Sequence, residues 1–201
     1  MSILADKLKN YNIILASGSP RRKEILGMLG LDFKVITKPT QEKFPDGLTG
    51  GDIPEFLARL KAEAFDDDFE SFPDNTIVIT ADTIVYIDGE VLGKPKNRTD
   101  AIFMLKKLSG RKHEVLTGVC FKSKNNSISF SAKTDVWFRD LTDDEIIFYV
   151  DNYKPMDKAG AYAVQEWIGA VAISRIEGSY YNVVGLPSQM LYNQLLNFVS
   201  L

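Results

Sequence analysis

The sequence predicts an α/β fold with a mixed sheet and flanking helices. The apolar run Ile13–Leu15 passes through the small polar turn Ala16–Ser19 into Pro20 and a helical face of Ile25, Leu26 and Leu29, which makes a strand-to-helix corner. A second apolar run, Thr76–Ala81, reads as a central strand, and helical periodicity follows Asp52 and recurs over residues 98–108. Asp88-Gly89 and Asn125-Asn126 each separate two strand-like runs, so hairpins add antiparallel pairing to strands that otherwise alternate with helices.

The elements follow in chain order. Residues 3–9 suit a short helical lead-in, and Phe33–Ile36 a short strand. Thr37–Gly51, with Pro39, Pro45, Gly47, Gly50 and Gly51, reads as a loop. The helix after Asp52 has Pro54 and Glu55 in its first turn and Phe56, Leu57, Leu60 and Ala64 on its apolar face. Asp82 follows the end of the Thr76–Ala81 strand, ahead of a further apolar run, Ile84–Ile87. Ala101, Ile102, Leu105 and Leu108 form the inward face of the helix over 98–108. Val115–Lys122 and Ile128–Phe138 read as strands, and Thr142 with Glu145 as a capping box for a helix carrying Ile146, Ile147, Phe148 and Val150. A short strand is expected to end in Gln165, and another to span Ala170–Ile176. Gly178–Pro187 forms a second glycine-bearing corner, before a final helix that turns Leu191, Leu195, Leu196 and Val199 to the core.

At 201 residues the chain has room for one large domain or two small lobes around a shared cleft. A net charge of −3 and a pI near 5.3 argue against a general nucleic-acid binder, leaving room for a local basic pocket. The single Cys120 excludes an intrachain disulfide and fits a reducing compartment. With no charged-then-apolar leader and no run long enough to cross a bilayer, the expected location is the cytoplasm.

Backbone N–H groups at the Ser17–Arg22 corner have no helical partner and suit an anion. Ser17 and Ser19 add hydroxyls, and Arg21 and Arg22 add guanidinium forks that match phosphate oxygens. Arg21, Arg22, Lys61, Lys94 and Lys158 together suit a polyphosphate, while Glu42 and Asp82 suit a divalent ion or the deprotonation of water. Neither GxxxxGK[ST] nor a strand-associated GxGxxG occurs, which argues against P-loop and Rossmann assignments. No G-x-S-x-G elbow marks a serine nucleophile, and His113, the one histidine, reads as a structural hydrogen-bonding residue.

Several stretches, in order along nearly the whole chain, closely resemble the Maf family of nucleoside triphosphate pyrophosphatases. They are Leu15–Arg22, Ala81-Asp82-Thr83, Gly93-Lys94-Pro95, Leu108–Arg111, Asp157–Tyr162 and Gly185-Leu186-Pro187. The resemblance implies a single Maf-like domain over residues 1–201, with two lobes around a central cleft, often as a homodimer. It also implies hydrolysis of a nucleoside triphosphate to the monophosphate and pyrophosphate with a divalent cation, Mg2+ or Mn2+. By that resemblance Asp82 is the proton acceptor, and Glu42 joins it at the metal and phosphate site. Ser17, Arg22, Lys61 and Lys94 surround the polyphosphate. Arg21, Thr83 and Gln165 match the substrate-specificity positions of the subgroup active on dTTP and UTP, in which the substrate is a pyrimidine nucleotide. Thr83 stands where the 7-methyl-GTP subgroup usually carries glutamine. The other readings are a preference for modified nucleotides or 7-methyl-GTP, and a nucleotide-sensing regulator of cell division. The chain departs from the subgroup pattern at Gln41, often an acid, and at Glu166-Trp167, usually a small glycine-containing stretch.

Overall fold

The computed structural model describes residues 3–200. After α1 (Ile3–Leu8), β1 (Asn12–Leu15) buries Ile13, Ile14 and Leu15, and α2 (Pro20–Met28) returns the chain so that β2 (Lys34–Val35) lies parallel to it. A helical crossover is what parallel neighbours require. On its other side β1 pairs in parallel with β3 (Thr76–Ile87), Ile14 opposite Val78. Between them in sequence lie α3 (Asp52–Glu63) and a 3-10 turn at Asp66–Glu70. Among the described residues the sheet has seven strands, in the order β2-β1-β3-β5-β6-β7, with β4 (Glu90–Leu92) paired to β3. β5 (Lys112–Lys122) and β6 (Ser127–Phe138) are the long strands of the second predicted hairpin, and β7 (Ile173–Glu177) runs antiparallel to β6. The remaining helices are α4 (Arg98–Leu108), α5 (Asp143–Tyr153), α6 (Trp167–Ala172), α7 (Tyr180–Val184) and α8 (Ser188–Phe198). The predicted α/β class with a mixed sheet is the observed one.

The chain divides into two compact units, Met1–Asp82 with Thr117–Ala132 and Gly185–Leu201, and Thr83–Leu116 with Lys133–Val184. In the first unit Ile14 and Val78 pack with Phe65 and Phe69, and Ala58 and Ala62 of α3 pack on Cys120 of β5. α3 comes close at Gly118, where a Cβ would stand 2.2 Å from the Pro54 carbonyl carbon. Thr80 of β3 also donates its hydroxyl to the Ala58 carbonyl at 2.6 Å.

In the second unit Val85, Leu105, Leu108, Val115, Val136, Phe138, Ile146, Tyr149 and Ile168 belong to one buried cluster. The predicted hairpin turn is present, with φ of 52° at Asp88 and 80° at Gly89, the two positive values that a type I′ turn needs. His113 is buried, 2.7 Å from the Tyr162 hydroxyl, in the structural role read from the sequence. Burial lowers its pKa to about 3 against a smaller opposing pull from Asp135.

Four expectations about secondary structure differ from the structure. The short strand expected to end in Gln165 is absent: Ala159–Ala161 form a 3-10 turn, with Gly160 at φ 65°, and Gln165 lies in the turn ahead of α6. β3 does not end at Ala81 but runs through Asp82 to Ile87, because Lys61 supplies the charge partner that a buried carboxylate needs. Residues Trp167–Ala172 are helical, where the sequence predicts a strand over Ala170–Ile176; Ile168 and Ala172, four apart, share the buried face. Tyr180–Val184 is helical where the sequence predicts only a corner, with the Asn182 amide donating to the Val115 carbonyl at 3.0 Å and to the Thr134 hydroxyl at 3.0 Å.

Candidate active site

The β1–α2 corner begins the site. Ser19 caps α2, its hydroxyl accepting from the Arg22 N–H at 3.5 Å, and Pro20 opens the helix. This cap directs Arg22, whose first-turn side chain spans several backbone segments of the first unit. Its Nε donates to the Gly185 carbonyl at 2.9 Å, and its Nη1 to the Ala81 carbonyl at 2.7 Å and the Ser17 hydroxyl at 3.3 Å. Ser17 is buried and its oxygen also accepts from the Ser19 N–H at 3.3 Å. Arg22 therefore clamps the Ser17 turn, β3 and the Gly185 corner. Burial lowers its pKa, Asp82 opposes that, Arg21 adds to it, and Glu42 opposes it. Arginine keeps its charge under such shifts.

The second part rests on two periodicities. Thr80 and Asp82 are two apart in β3 and share a face; Ala58 and Lys61 are three apart in α3 and share a side. The Thr80–Ala58 hydrogen bond sets the register between them. Lys61 consequently meets Asp82, Nζ to carboxylate 2.5 Å, and also meets Glu42 from the loop before α3 at 2.7 Å. One ammonium thus lies between two carboxylates, that of Asp82 buried and that of Glu42 half exposed. Gln41 beside them is an exposed amide.

The structure brings Ser17, Arg22, Glu42, Lys61 and Asp82 together, with Arg21 close enough to act on the charge of Arg22. The other three predicted site residues belong to the second unit. Thr83 is half-buried in β3, Lys94 is exposed after β4, and Gln165 is exposed in the turn ahead of α6. Gln165 borders a groove of about 540 Å³ that Ser174, Arg175 and Tyr180 also line. Lys158, read from sequence as a polyphosphate group, is instead buried and paired with Asp157 at 2.7 Å and Glu166 at 3.3 Å.

The carbonyls that Arg22 engages, and the Tyr149 hydroxyl that donates to Glu166 at 2.5 Å, were not legible. Backbone acceptors carry no residue-type signal, and a 17-residue separation matches no helix or strand period.

Among the described residues no group of three or more His, Cys, Asp or Glu side chains is placed to hold a metal. Glu42 and Asp82 nevertheless fit a magnesium-type ion, which takes one or two carboxylates and completes its shell with phosphate oxygens and water. They already share one cation, the Lys61 ammonium.

The fold is similar to that in "The structure of the Staphylococcus aureus Ham1 protein", with a TM-score of 0.52 at 19% identity, over 91% of this chain and 99% of that one. A Flavobacterium psychrophilum protein named dTTP/UTP pyrophosphatase is 51% identical over 97% of this chain and 98% of its own length. One of the same name from Bacteroides thetaiotaomicron is 51% identical over 94% of this chain and 96% of its own. The family described as Maf-like protein matches residues 12–198. A match over nearly the whole chain, shared with relatives at half identity, means that the chain belongs to the Maf family.

Proposed function

We propose that the protein is a nucleoside triphosphate pyrophosphatase that hydrolyses dTTP and UTP to the nucleoside monophosphate and pyrophosphate. The observation that carries this reading is the Lys61 ammonium held between Asp82 and Glu42 beside the Arg22 corner. The names of relatives about half identical over nearly full length supply the pyrimidine preference.

A triphosphate competes with Asp82 and Glu42 for Lys61, and its arrival releases Asp82 to act as a base. Asp82 accepts a proton from water as the water oxygen bonds to the α-phosphorus. The bond from that phosphorus to the α–β bridging oxygen breaks, and pyrophosphate leaves with the electron pair. Lys61 and Lys94 offset the charge that gathers on the leaving group. Glu42 and Asp82 would hold Mg2+ or Mn2+, which when bound neutralises phosphate charge and polarises the oxygens it touches. Arg22 keeps the corner and β3 in register. Arg21, Thr83 and Gln165 select the nucleotide: the Gln165 amide has both a donor and an acceptor for the edge of a pyrimidine, and the Thr83 hydroxyl can serve as either. The same reading has the enzyme acting as a homodimer in the cytoplasm.

The test is a nucleotide panel in Mg2+ and in Mn2+, with monophosphate, diphosphate, pyrophosphate and phosphate separated. dTTP and UTP are expected to yield dTMP and UMP, each with pyrophosphate. Diphosphate plus phosphate would reject the cleavage position, and equal turnover of 7-methyl-GTP would reject the pyrimidine preference. Saturable binding without turnover in either metal would favour a nucleotide sensor.

A further inference from the structure

We propose that Tyr149 and Glu166 are positioning residues that hold the Val164–Glu166 turn rigid and so present Gln165 to the nucleotide; this rests on the specificity role proposed for Gln165. Glu166 follows Gln165 directly and precedes α6. Its side chain turns inward, one oxygen accepting from the Tyr149 hydroxyl at 2.5 Å and the other 3.3 Å from Lys158 Nζ. Tyr149 is fully buried in α5 and stacks on Tyr153 at 5.1 Å, so its hydroxyl is a fixed donor. Burial first, and then the Glu166 carboxylate, raise the pKa of this phenol, which keeps its proton. Lys158 is buried as well.

The backbone of the same turn is held as well. The Glu166 N–H donates to the Ala163 carbonyl at 3.1 Å, and its carbonyl accepts from Gly169 at 2.9 Å. A Cβ at Gly169 would stand 1.9 Å from the Val164 carbonyl oxygen, so α6 lies directly on the residue before Gln165. Gln165 itself is exposed beside the 540 Å³ groove. A turn whose next side chain is half-buried and held by two partners has little backbone freedom, so the Gln165 side chain leaves the backbone from one place and in one direction. Selectivity from hydrogen bonding depends on that origin, because an amide carried on a swinging backbone reaches more than one base edge.

The experiment measures kcat and KM for dTTP and dCTP, with thermal midpoints, in the parent, Tyr149→Phe, Gln165→Ala and the double variant. Tyr149→Phe keeps the ring and its stacking and removes only the hydroxyl. Its dTTP-over-dCTP ratio of kcat/KM is expected to fall roughly threefold to tenfold, chiefly through KM. In the Gln165→Ala background the same change should leave the ratio where Gln165→Ala alone put it, since the tyrosine acts through the amide. A fall by the same factor in both backgrounds, or a parental ratio in Tyr149→Phe while Gln165→Ala is altered, overturns the positioning role and spares that of Gln165. A parental ratio in Gln165→Ala overturns both. Glu166→Gln keeps the turn's size but not the Lys158 pairing and, read by the same ratios, decides the matter if Tyr149→Phe fails to fold.

Discussion

At the residue scale, Asp82 and His113 are two buried titratable groups on opposite terms with their surroundings. Asp82 has a cation within 2.5 Å and belongs to a five-residue polar cluster, whereas His113 sits between Phe138 and Tyr162 rings, each edge-on and 5.0 and 5.4 Å away. Asp82→Asn keeps the volume and removes the basic oxygen, so turnover of dTTP should fall by about 100-fold or more. Lys61 keeps Glu42 as a partner, so the folded protein should survive, with a loss of about 1–2 kcal/mol in urea unfolding. Near-parental turnover by folded Asp82→Asn would remove it from the mechanism; rescue at high Mg2+ would make it a metal ligand. For His113 the folded pKa, about 3, lies below the ordinary 6.5, so the unfolded chain binds the proton more readily. Its contribution to stability is whole above pH 6.5 and is lost as pH falls towards 3, by up to about 1.4 kcal/mol per pH unit. Urea midpoints between pH 7 and 5, above most carboxylate titrations, should drop in the parent and flatten in His113→Gln. An equal slope in both would assign the effect elsewhere.

At the element scale, a capping signal in the sequence locates a helix end, whereas periodicity leaves the rotation of its face open. The capping box before α5 is formed in both directions, Thr142 accepting from the Glu145 N–H and Glu145 accepting from the Thr142 N–H. The Arg139 fork first, then the Thr142 N–H, lower the Glu145 pKa to about 2. Thr142→Ala should therefore cost about 1 kcal/mol in denaturant unfolding with unchanged turnover, and a neutral result would mean that tertiary packing alone holds the end of α5. Faces were harder. α3 buries Ile53, Pro54, Leu57, Ala58 and Ala62, of which only Leu57 was in the predicted stripe of Phe56, Leu57, Leu60 and Ala64. In α5 Ile146 and Val150 are buried as expected, but Tyr149 joins them while Ile147 and Phe148 are exposed. Periodicity gives the spacing of a stripe, and its rotation about the helix depends on what lies opposite. For α3 that partner is β5, with Gly118 under Pro54 and Cys120 under Ala58 and Ala62.

At the scale of the whole molecule, the two units share strands: β3, β5 and β6 each have one part in the first and one in the second. A strand cannot melt over half its length without fraying the rest, so urea unfolding should be one transition. Trp137 and Trp167 both lie in the second unit, so tryptophan fluorescence reports that unit while far-UV circular dichroism reports both. Coincident curves are expected; two separated transitions would show that the units unfold independently. By itself the sequence determined the α/β class, the β1–α2 corner, both hairpins and the α5 cap, because turn chemistry, capping and apolar runs act over a few neighbouring residues. It also nominated Ser17, Arg22, Glu42, Lys61 and Asp82 by residue type and resemblance. Only the tertiary structure decided that Lys61 lies between the two carboxylates, that Arg22 holds the Ala81 and Gly185 carbonyls, and that Lys158 pairs inward with Glu166. Those contacts join residues from 8 to 163 positions apart, and the packing of α3 on β5 and α6 on the Val164 carbonyl sets such distances, which no local propensity encodes.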